Sequence, residues 1–418
     1  MDLFEKIGAR AGTQLAQISR QVHGKAAFPK LTGEIGPRMI FNGREHLVWS
    51  INNYLGLANH PEVRRVDAES AARYGLASPM GSRMMSGETE ELELLEAELA
   101  EYARKQDAFF LNFGYPGMVS LIDQMLTRHD WLVYDAESHA CIMDGVRLHQ
   151  GRSKQRTKSF PHNNIAKLEQ VLENISKVRG PDEGVLVVTE GVFGMSGVQG
   201  RLKEIVALKQ KYGFRLLIDD AHGFGVLGPN GGGTGEEQGV QDDIDLYFAT
   251  FAKSGASVGA FVASRHDIIW QLRYGMRSQI FSKGLPMPIV VGNRERLRLM
   301  RTEPWRREQC LKVAKVLREN LRANGFEVGN PNSAITPVFL KLDHDLTQRL
   351  VYWLRNHHGV FCSVVIYPVV PPGIVQLRLI ATADHTVEDA QTAVNAITNA
   401  LWEVNADRDL VGMAAAGR

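Results

Sequence analysis

The sequence has few of the features that mark several large classes of protein. Its three cysteines, Cys141, Cys310 and Cys362, form no CxxC pair, which argues against a disulfide framework and a zinc site. No run of eighteen apolar residues occurs, so no transmembrane helix is expected. The N-terminus has no apolar core of the kind that defines a signal peptide. These features favour a reducing, cytoplasmic setting.

The charges are nearly balanced, with a formal net charge of +1. This gives no electrostatic reason to expect nucleic acid or a membrane surface as a partner. The opening segment does place Leu3, Phe4, Ile7, Leu15 and Ile18 at helical spacing. We expect a helix that packs on this protein or on a partner subunit, and a peripheral membrane contact is the alternative.

Short apolar runs alternate with amphipathic stretches through the first two thirds of the chain. The predicted strands are 108–115, 131–139, 184–194, 214–223 and 246–255, and the predicted helices are 91–105, 164–175 and 202–213. This alternation predicts an α/β domain with a mostly parallel sheet and helices on both faces. Such sheets bind ligands beyond the carboxyl ends of their strands, where the ionisable residues of these runs cluster.

The pattern changes after about residue 285. A helical stretch near 292–325 precedes strands at 335–341 and 375–380 and a final helix at 387–404. We therefore predict three parts: an N-terminal helical segment (1–45), a large domain (46–285) and a smaller α+β domain (286–418).

Lys253 is the first candidate for chemistry. It is the one charged residue from Leu246 through Ala263, among small and apolar neighbours. Most lysines are solvated surface residues, but a lysine in this setting is expected to have a lowered pKa and to attack a carbonyl as the neutral amine. Thr250 lies three residues earlier and offers a hydroxyl to a phosphate.

Further candidates follow other predicted strands. Asp219 ends the run LLID and either caps a helix or keeps a pyridine nitrogen protonated. His222 can donate a hydrogen bond to a ring oxygen and His139 can stack on a planar ring, but either can equally be structural. Gly114 and Tyr115 end the run AFFLNFGY, where glycine leaves backbone amides free to bind an anion.

Arg378 interrupts an apolar strand of the predicted second domain. An arginine in such a run needs an anionic partner. The α-carboxylate of a substrate matches the two-pronged guanidinium group, and an internal ion pair is an alternative of equal weight.

Four segments of the chain, in order, carry a family resemblance: SINNYLGLANHP, DAESHACIMDG, DDAHGFGVLG and TFAKS. Together they resemble the α-oxoamine synthases, enzymes of fold type I that depend on pyridoxal 5′-phosphate, over about residues 40 to 400. The resemblance implies an aspartate aminotransferase-like large domain and a homodimer with active sites at the subunit interface, and it implies no metal.

The resemblance also assigns roles to single positions. Lys253 holds the cofactor, Asp219 pairs with the pyridine nitrogen, His222 lies near the ring hydroxyl, and His139 stacks on the ring. The phosphate is held by the amides of Gly114 and Tyr115, the Thr250 hydroxyl, and Ser282 lent by the neighbouring subunit. Arg378 receives the amino acid carboxylate, with Asn52 nearby. The chain departs from the family pattern at Leu92, Ala252, Ser196 and Val198.

The reaction that this resemblance implies is the decarboxylative condensation of an amino acid with an acyl thioester, with Lys253 as the base. The segments PMGSRMMSG and QIFSKGLPMP are most similar to the bacterial serine palmitoyltransferase branch. We therefore expect L-serine and palmitoyl-CoA to give 3-ketodihydrosphingosine, CoA and CO2 in sphingolipid synthesis. The alternatives are L-alanine with a pimeloyl thioester, giving 8-amino-7-oxononanoate for biotin, and a glycine-using C-acyltransferase.

Two alternatives lie outside this enzyme class. A catalytically silent partner subunit of the same fold is expected to lack the lysine, so Lys253 argues against it. A nucleotide-binding α/β protein is disfavoured because no GxGxxG motif follows a first strand.

Overall fold

The structure is a computed structural model that describes residues 2–10, 24, 28–366, 370 and 373–416. Leu15 and Ile18, which the sequence places on an N-terminal helix, lie outside these residues. Helix Leu3–Ala9 buries none of its residues, so it does not pack on the core of its own chain. Its contact with a partner subunit stays a prediction.

The predicted alternation of strands produces three sheets. The strands are β1 (Leu31–Thr32), β2 (Arg38–Phe41), β3 (Arg44–Val48), β4 (Asp107–Leu111), β5 (Trp131–Asp135), β6 (Thr157–Phe160), β7 (Val185–Glu190), β8 (Arg215–Asp219), β9 (Leu246–Thr250), β10 (Ala260–Ser264), β11 (Ile335–Lys341), β12 (Val360–Phe361), β13 (Ser363–Val365) and β14 (Ile374–Ile380). The central sheet has the order β4-β10-β9-β8-β7-β5-β6. Only β10 runs antiparallel to its neighbours, so the mostly parallel α/β architecture of fold type I is confirmed.

Helices cover the central sheet on both faces and continue into the C-terminal third. They are Leu3–Ala9, Pro61–Tyr74, Glu90–Tyr102, Gly114–Met125, Ala140–Ser153, Ile165–Ser176, Leu202–Tyr212, Thr234–Glu237, His266–Gly275, Arg277–Ile280, Met287–Thr302, Trp305–Ala323, His344–Tyr352 and Val387–Ala416. Among the described residues, no helix has the length and apolar character needed to cross a membrane.

Helix Ile165–Ser176 shows how the local sequence sets these elements. The Asn164 side chain accepts a hydrogen bond from the Lys167 amide and so begins the helix. Leu168, Leu172 and Ile175 are buried at helical spacing against the sheet. Strand β7 is buried along its whole length, as expected for a parallel strand covered on both faces.

The prediction that residues 1–45 form a helical segment is wrong for residues 31–45. Residues 31–48 contain β1, β2 and β3, which form a second sheet with β12. Asn42 and Gly43 make the turn between β2 and β3 with positive φ angles of 50° and 75°. An Asn-Gly pair between two short strands is the strongest local signal for a hairpin. The division of the chain near residue 285 stays a prediction.

The helical stretch predicted near 292–325 is two helices, Met287–Thr302 and Trp305–Ala323. Pro304 separates them, because proline lacks an N–H donor and disfavours the helical conformation of Glu303 before it. The final helix, predicted at 387–404, extends to Ala416. Strands β11 and β14 match the predicted strands, and with β13 they form an antiparallel sheet.

Arg83, in the segment PMGSRMMSG that favours a serine-using enzyme, is structural. Its guanidinium group is buried and pairs with Glu96 at 2.6 Å and with Glu88 at 2.8 Å. Glu96 is also buried, and it accepts hydrogen bonds from the Phe110 amide and pairs with Arg273. This network joins helix Glu90–Tyr102 to β4.

We predict that Glu96→Ala lowers the free energy of unfolding by about 3–5 kcal/mol, because the buried Arg83 and the partly buried Arg273 both lose a carboxylate partner. Urea unfolding followed by circular dichroism measures the loss. Glu93→Ala, an exposed position on the same helix, is the control and should stay within about 0.5 kcal/mol of the parent. Equal losses for the two variants would contradict a structural role for the buried network.

Candidate active site

Three neighbouring strands of the central sheet end in polar residues at one edge. Glu190 ends β7, Asp219 ends β8, and Thr250 ends β9. Glu190 and Asp219 are register partners, so their Cα atoms lie side by side. All three side chains are buried. Beyond this edge the chain places Lys253, His222 and His139, so the predicted candidates of the large domain converge.

Lys253, His222 and Tyr54 form a continuous hydrogen-bonded chain. Lys253 Nζ lies 2.8 Å from His222 Nε2, and the Tyr54 hydroxyl lies 2.6 Å from His222 Nδ1. Burial, reinforced by the charge of Lys253, lowers the pKa of His222 far below its usual range. The imidazole is therefore neutral and has one proton to share between its two contacts.

Burial also lowers the pKa of Lys253. The carboxylates of Asp219 and Glu190 oppose this effect, and the guanidinium group of Arg378 adds to it. The amine thus spends a larger fraction of time uncharged than a surface lysine, which is the state required to form a covalent bond to a carbonyl carbon.

His139 lies at the start of helix Ala140–Ser153 with an exposed ring. Its backbone N–H donates to Glu190 at 2.5 Å, and its Nδ1 contacts Cys141 Sγ at 3.0 Å. Cys141 Sγ in turn lies 3.7 Å from Asp219 Oδ2. His139 and Asp219 are therefore held on either side of one buried thiol, and the imidazole face is free to stack.

Glu190 is a site residue that the sequence reasoning missed. Its burial, together with the neighbouring charge of Asp219, raises the pKa of its carboxyl group well above the usual range. Glu190 therefore favours its protonated form more strongly than an exposed glutamate does. The signal was available, because Glu190 ends a predicted strand in the same way as Asp219.

An anion-binding end lies across the same edge. Helix Gly114–Met125 has no side-chain cap on its first turn, so its amides can bind an anion. The predicted strand 108–115 ends earlier, at Leu111, and Gly114 and Tyr115 open this helix instead. A β-carbon on Gly114 would lie 3.6 Å from Thr250 Oγ1, which brings the amides and the hydroxyl together.

Tyr115 and Ser282 contribute differently from each other. The Tyr115 hydroxyl donates to Asp144 at 2.5 Å, so its side chain is engaged and only its amide faces the anion-binding end. Ser282 Oγ donates to the Ser278 carbonyl at 2.5 Å and accepts from Asn112 at 3.3 Å. Asn112 is two residues before Gly114, so Ser282 lies beside this end within its own chain.

Arg378 approaches the site from the antiparallel sheet. Its Nε donates to the Gly194 carbonyl at 2.6 Å, and a β-carbon at Gly194 would lie 2.5 Å from His222 Nε2. Arg378 forms no ion pair with a carboxylate of the described residues. The internal ion pair that the sequence left open is absent there, and the guanidinium Nη groups remain available to a ligand.

Asn52 lies near Arg378 through the backbone. The carbonyls of Trp49 and Tyr54, on either side of Asn52, accept hydrogen bonds from Ile380 and Ala383 just beyond Arg378. The buried Oδ1 of Asn52 has no partner in the described chain. A buried amide atom without a partner is unusual and favours a ligand contact.

The departures from the family pattern have simple structural consequences. Leu92 is buried in the hydrophobic core below helix Glu90–Tyr102 and does not reach the site. Ala252 donates its amide N–H to Thr250 Oγ1 at 3.1 Å, so the hydroxyl is oriented by backbone. Ser196 Oγ accepts from the Val198 amide at 3.4 Å and stabilises the turn after Gly194.

These residues fit pyridoxal phosphate. Asp219 is a buried carboxylate that pairs with no Lys, Arg or His of the described residues, as required of the partner of a pyridinium nitrogen. Lys253 supplies an amine with a lowered pKa, His139 an exposed ring, and helix Gly114–Met125 an uncapped N-terminus for the phosphate.

Comparison with known proteins agrees with this fit. The family described as aminotransferase class I and II matches residues 44–397. The chain is 52% identical over 398 residues to the cysteate-C-fatty acyltransferase of Capnocytophaga ochracea, covering 95% of this chain and 94% of that protein. It is 34% identical to the 8-amino-7-oxononanoate synthase of Exiguobacterium sibiricum, in a match that covers 86% of this chain and 89% of that protein. The structure of the serine palmitoyltransferase of Sphingomonas wittichii superposes with a TM-score of 0.88 at 28% identity, and the match covers 97% of this chain and 100% of that one.

The chain therefore belongs to the aminotransferase class I and II family, and it is a fold-type I enzyme that depends on pyridoxal phosphate. Its similarity to a cysteate-C-fatty acyltransferase and to an 8-amino-7-oxononanoate synthase places it among the α-oxoamine synthases, which are acyltransferases.

We predict that Lys253→Ala abolishes covalent attachment of the cofactor. Borohydride treatment of the cofactor-loaded parent should fix one pyridoxyl group on the peptide that contains Lys253, and mass spectrometry should find none in the variant. Lys283→Ala, which removes an exposed lysine, is the control and should be labelled like the parent. Labelling of another lysine in both variants would contradict the assignment.

Proposed function

We propose that the protein condenses L-cysteate with a long-chain fatty acyl thioester, with release of the thiol and CO2. The supporting observation is 52% identity, over 95% of this chain, to a cysteate-C-fatty acyltransferase. The serine palmitoyltransferase of similar fold is 28% identical. L-serine, which the sequence alone favoured, is the second candidate, supported by the TM-score of 0.88 to that enzyme.

Pyridoxal phosphate, when bound, supplies the electron sink for the carbanion formed at Cα of the amino acid. The carboxylate of Asp219 would stabilise the protonated pyridine nitrogen of the cofactor, and His139 would cover one face of its ring. Lys253 would accept the Cα proton of the amino acid, because burial favours the uncharged form of its amine.

Arg378 binds the substrate carboxylate in this proposal. Burial lowers the pKa of its guanidinium group, which shows how poorly the isolated charge is solvated; a carboxylate would remove that cost. The hydrogen bond of 2.6 Å from Arg378 Nε to the Gly194 carbonyl sets the direction of the guanidinium group. Orientation of the amino acid relative to Lys253 follows from this anchor.

Cysteate has a second anion, the sulfonate, beyond the carboxylate. Asn52 is placed to contact it or the carboxylate, because its buried amide has an unsatisfied atom beside the Arg378 strand. The two ends of an amide are interchangeable by rotation, so Asn52 can present N–H donors to an anionic oxygen. This arrangement suits an acidic amino acid at least as well as serine.

We also propose a homodimer. Exposed apolar side chains surround the anion-binding end: Met80, Met84, Met85, Phe113 and Phe281. The segments that carry them are joined, because the Gly284 amide donates to the Gly81 carbonyl and Asn112 bonds to Lys283. A contiguous apolar patch of this kind marks an interface, and a second copy seated there would bring Ser282 close to its partner's site.

We predict that the loaded enzyme releases CoA from palmitoyl-CoA with L-cysteate at a kcat/KM at least about tenfold above L-serine, L-alanine or glycine. The amino acids are offered separately, thiol release is recorded, and the lipid product is identified by mass spectrometry. A sulfonated ketone supports the proposal. Preference for serine with a 3-keto sphingoid product would move the assignment to the second candidate.

The variant Arg378→Gln tests the carboxylate anchor in the same assay. We expect it to raise KM for every amino acid that the parent accepts, by about 10- to 100-fold, because the charged bidentate contact is lost. Its order of preference should not change. An effect on the KM of palmitoyl-CoA alone would contradict the assignment of Arg378 to the amino acid.

We predict a sedimentation mass of about twice 46.5 kDa for the parent at micromolar concentration. Phe281→Asp should shift it toward the monomer, since a charge cannot be buried at the interface. Trp305→Asp, at an exposed aromatic outside the patch, is the control and should remain dimeric. A monomeric parent would contradict the homodimer.

A further inference from the structure

The side chain of Tyr54 is fully buried, at 0% exposure, and its hydroxyl reaches one nitrogen of His222 while Lys253 reaches the other. Within the described chain the hydroxyl has no other hydrogen-bond partner. Burial raises the pKa of the Tyr54 phenol, so the oxygen keeps its proton. Tyr54 belongs to the motif SINNYLG, in which the sequence predicts a role for Asn52 alone.

The neutral His222 has two tautomers that fit these distances. In the first arrangement, Lys253, charged or neutral, donates to His222 Nε2, and His222 Nδ1–H donates to the Tyr54 oxygen. The Tyr54 proton then points at no acceptor in a dry environment, which costs free energy. The first arrangement therefore leaves one buried donor unsatisfied.

In the second arrangement, Tyr54 O–H donates to His222 Nδ1, and His222 Nε2–H donates to the lone pair of a neutral Lys253. The Tyr54 O–H and the single N–H of His222 then both have an acceptor. Because a neutral imidazole has a single N–H, the direction of the Tyr54 bond decides which nitrogen bears the proton. The second arrangement requires Lys253 to be uncharged.

We propose that Tyr54 is a positioning residue that, through the tautomer of His222, holds Lys253 in its neutral form. It does not touch the substrate or accept a proton itself. Its buried hydroxyl donates to His222 Nδ1 and so favours the tautomer of His222 that has its proton on Nε2. That same N–H remains aimed into the site once Lys253 is occupied by the cofactor. The inference rests on the cofactor lysine and is independent of which amino acid is condensed.

Other groups near Lys253 act on it as well. Asp219, Glu190 and Cys141 favour its charged form, and Arg378 disfavours it. These groups stay in place when the Tyr54 hydroxyl is removed. A change on replacing Tyr54 by phenylalanine, which keeps the ring and its packing, therefore reports on the hydroxyl.

The test is the pH dependence of Lys253 reactivity in the full-length chain freed of cofactor. The parent and Tyr54→Phe are labelled with trace acetic anhydride across pH, and the peptide containing Lys253 is quantified by mass spectrometry. We expect the Lys253 pKa to rise by about one unit in Tyr54→Phe, so that labelling below both pKa values falls about tenfold.

Tyr102→Phe is the matched control, because the Tyr102 hydroxyl donates to the Asn230 carbonyl at 3.0 Å outside this chain of bonds. It should leave the Lys253 pKa at the parent value. An unchanged Lys253 pKa in a folded Tyr54→Phe protein would overturn the proposal. An equal rise in both variants would also overturn it.

A measurement on the parent covers the case in which Tyr54→Phe does not fold. The protein is labelled with ¹⁵N-histidine, and long-range ¹H–¹⁵N correlation reports the tautomer of His222, assigned by its loss in His222→Gln. The Nε2–H tautomer is expected. The Nδ1–H tautomer, or a charged ring at neutral pH, would falsify the inference.

Discussion

Removal of ionisable groups from water, at one edge of a parallel sheet, is the constraint on which the rest of the molecule depends. The register of β7 with β8 places two carboxyl groups side by side, and burial raises the pKa of Glu190 well above its usual range. Asp219 forms no ion pair with a Lys, Arg or His of the described residues, so its carboxyl group is available to a cationic ring. The lowered pKa of Lys253 follows from the same burial.

The antiparallel sheet of β11, β14 and β13 brings one guanidinium group to the site. β14 carries Arg378, and backbone hydrogen bonds from the end of β14 and the segment that follows it reach residues 49–54, which contain Asn52 and Tyr54. Segments more than 300 positions apart in the chain thus meet beside Arg378. The guanidinium group of Arg378, the buried amide oxygen of Asn52 and the Tyr54 hydroxyl are therefore positioned by one packing interface.

The sequence revealed the parts of the site whose signal is local. Lys253 is conspicuous as a lone charge in an apolar run, and Asp219, His139 and Thr250 follow strands that periodicity identifies. Tyr54 was missed because its role depends on a partner far along the chain, since Tyr54 and His222 are 168 positions apart. Glu190 was missed although it follows an apolar run in the same way as Asp219. The Asn42-Gly43 hairpin and the Pro304 break did have local signals. The anchor at Gly194 had none, since a backbone carbonyl leaves no mark in composition.

The three cysteines have a practical consequence for how the enzyme is handled. All are buried, and burial raises the pKa of each thiol, that of Cys362 to about 11. The thiolate is the reactive form of cysteine. Thiol-reactive disulfide reagents added to an assay will therefore react with the thiol released from the acyl thioester and hardly at all with the folded protein. Turnover can then be followed continuously without first blocking the cysteines of the enzyme. On heating, the same reagents report unfolding, because unfolding exposes the three thiols.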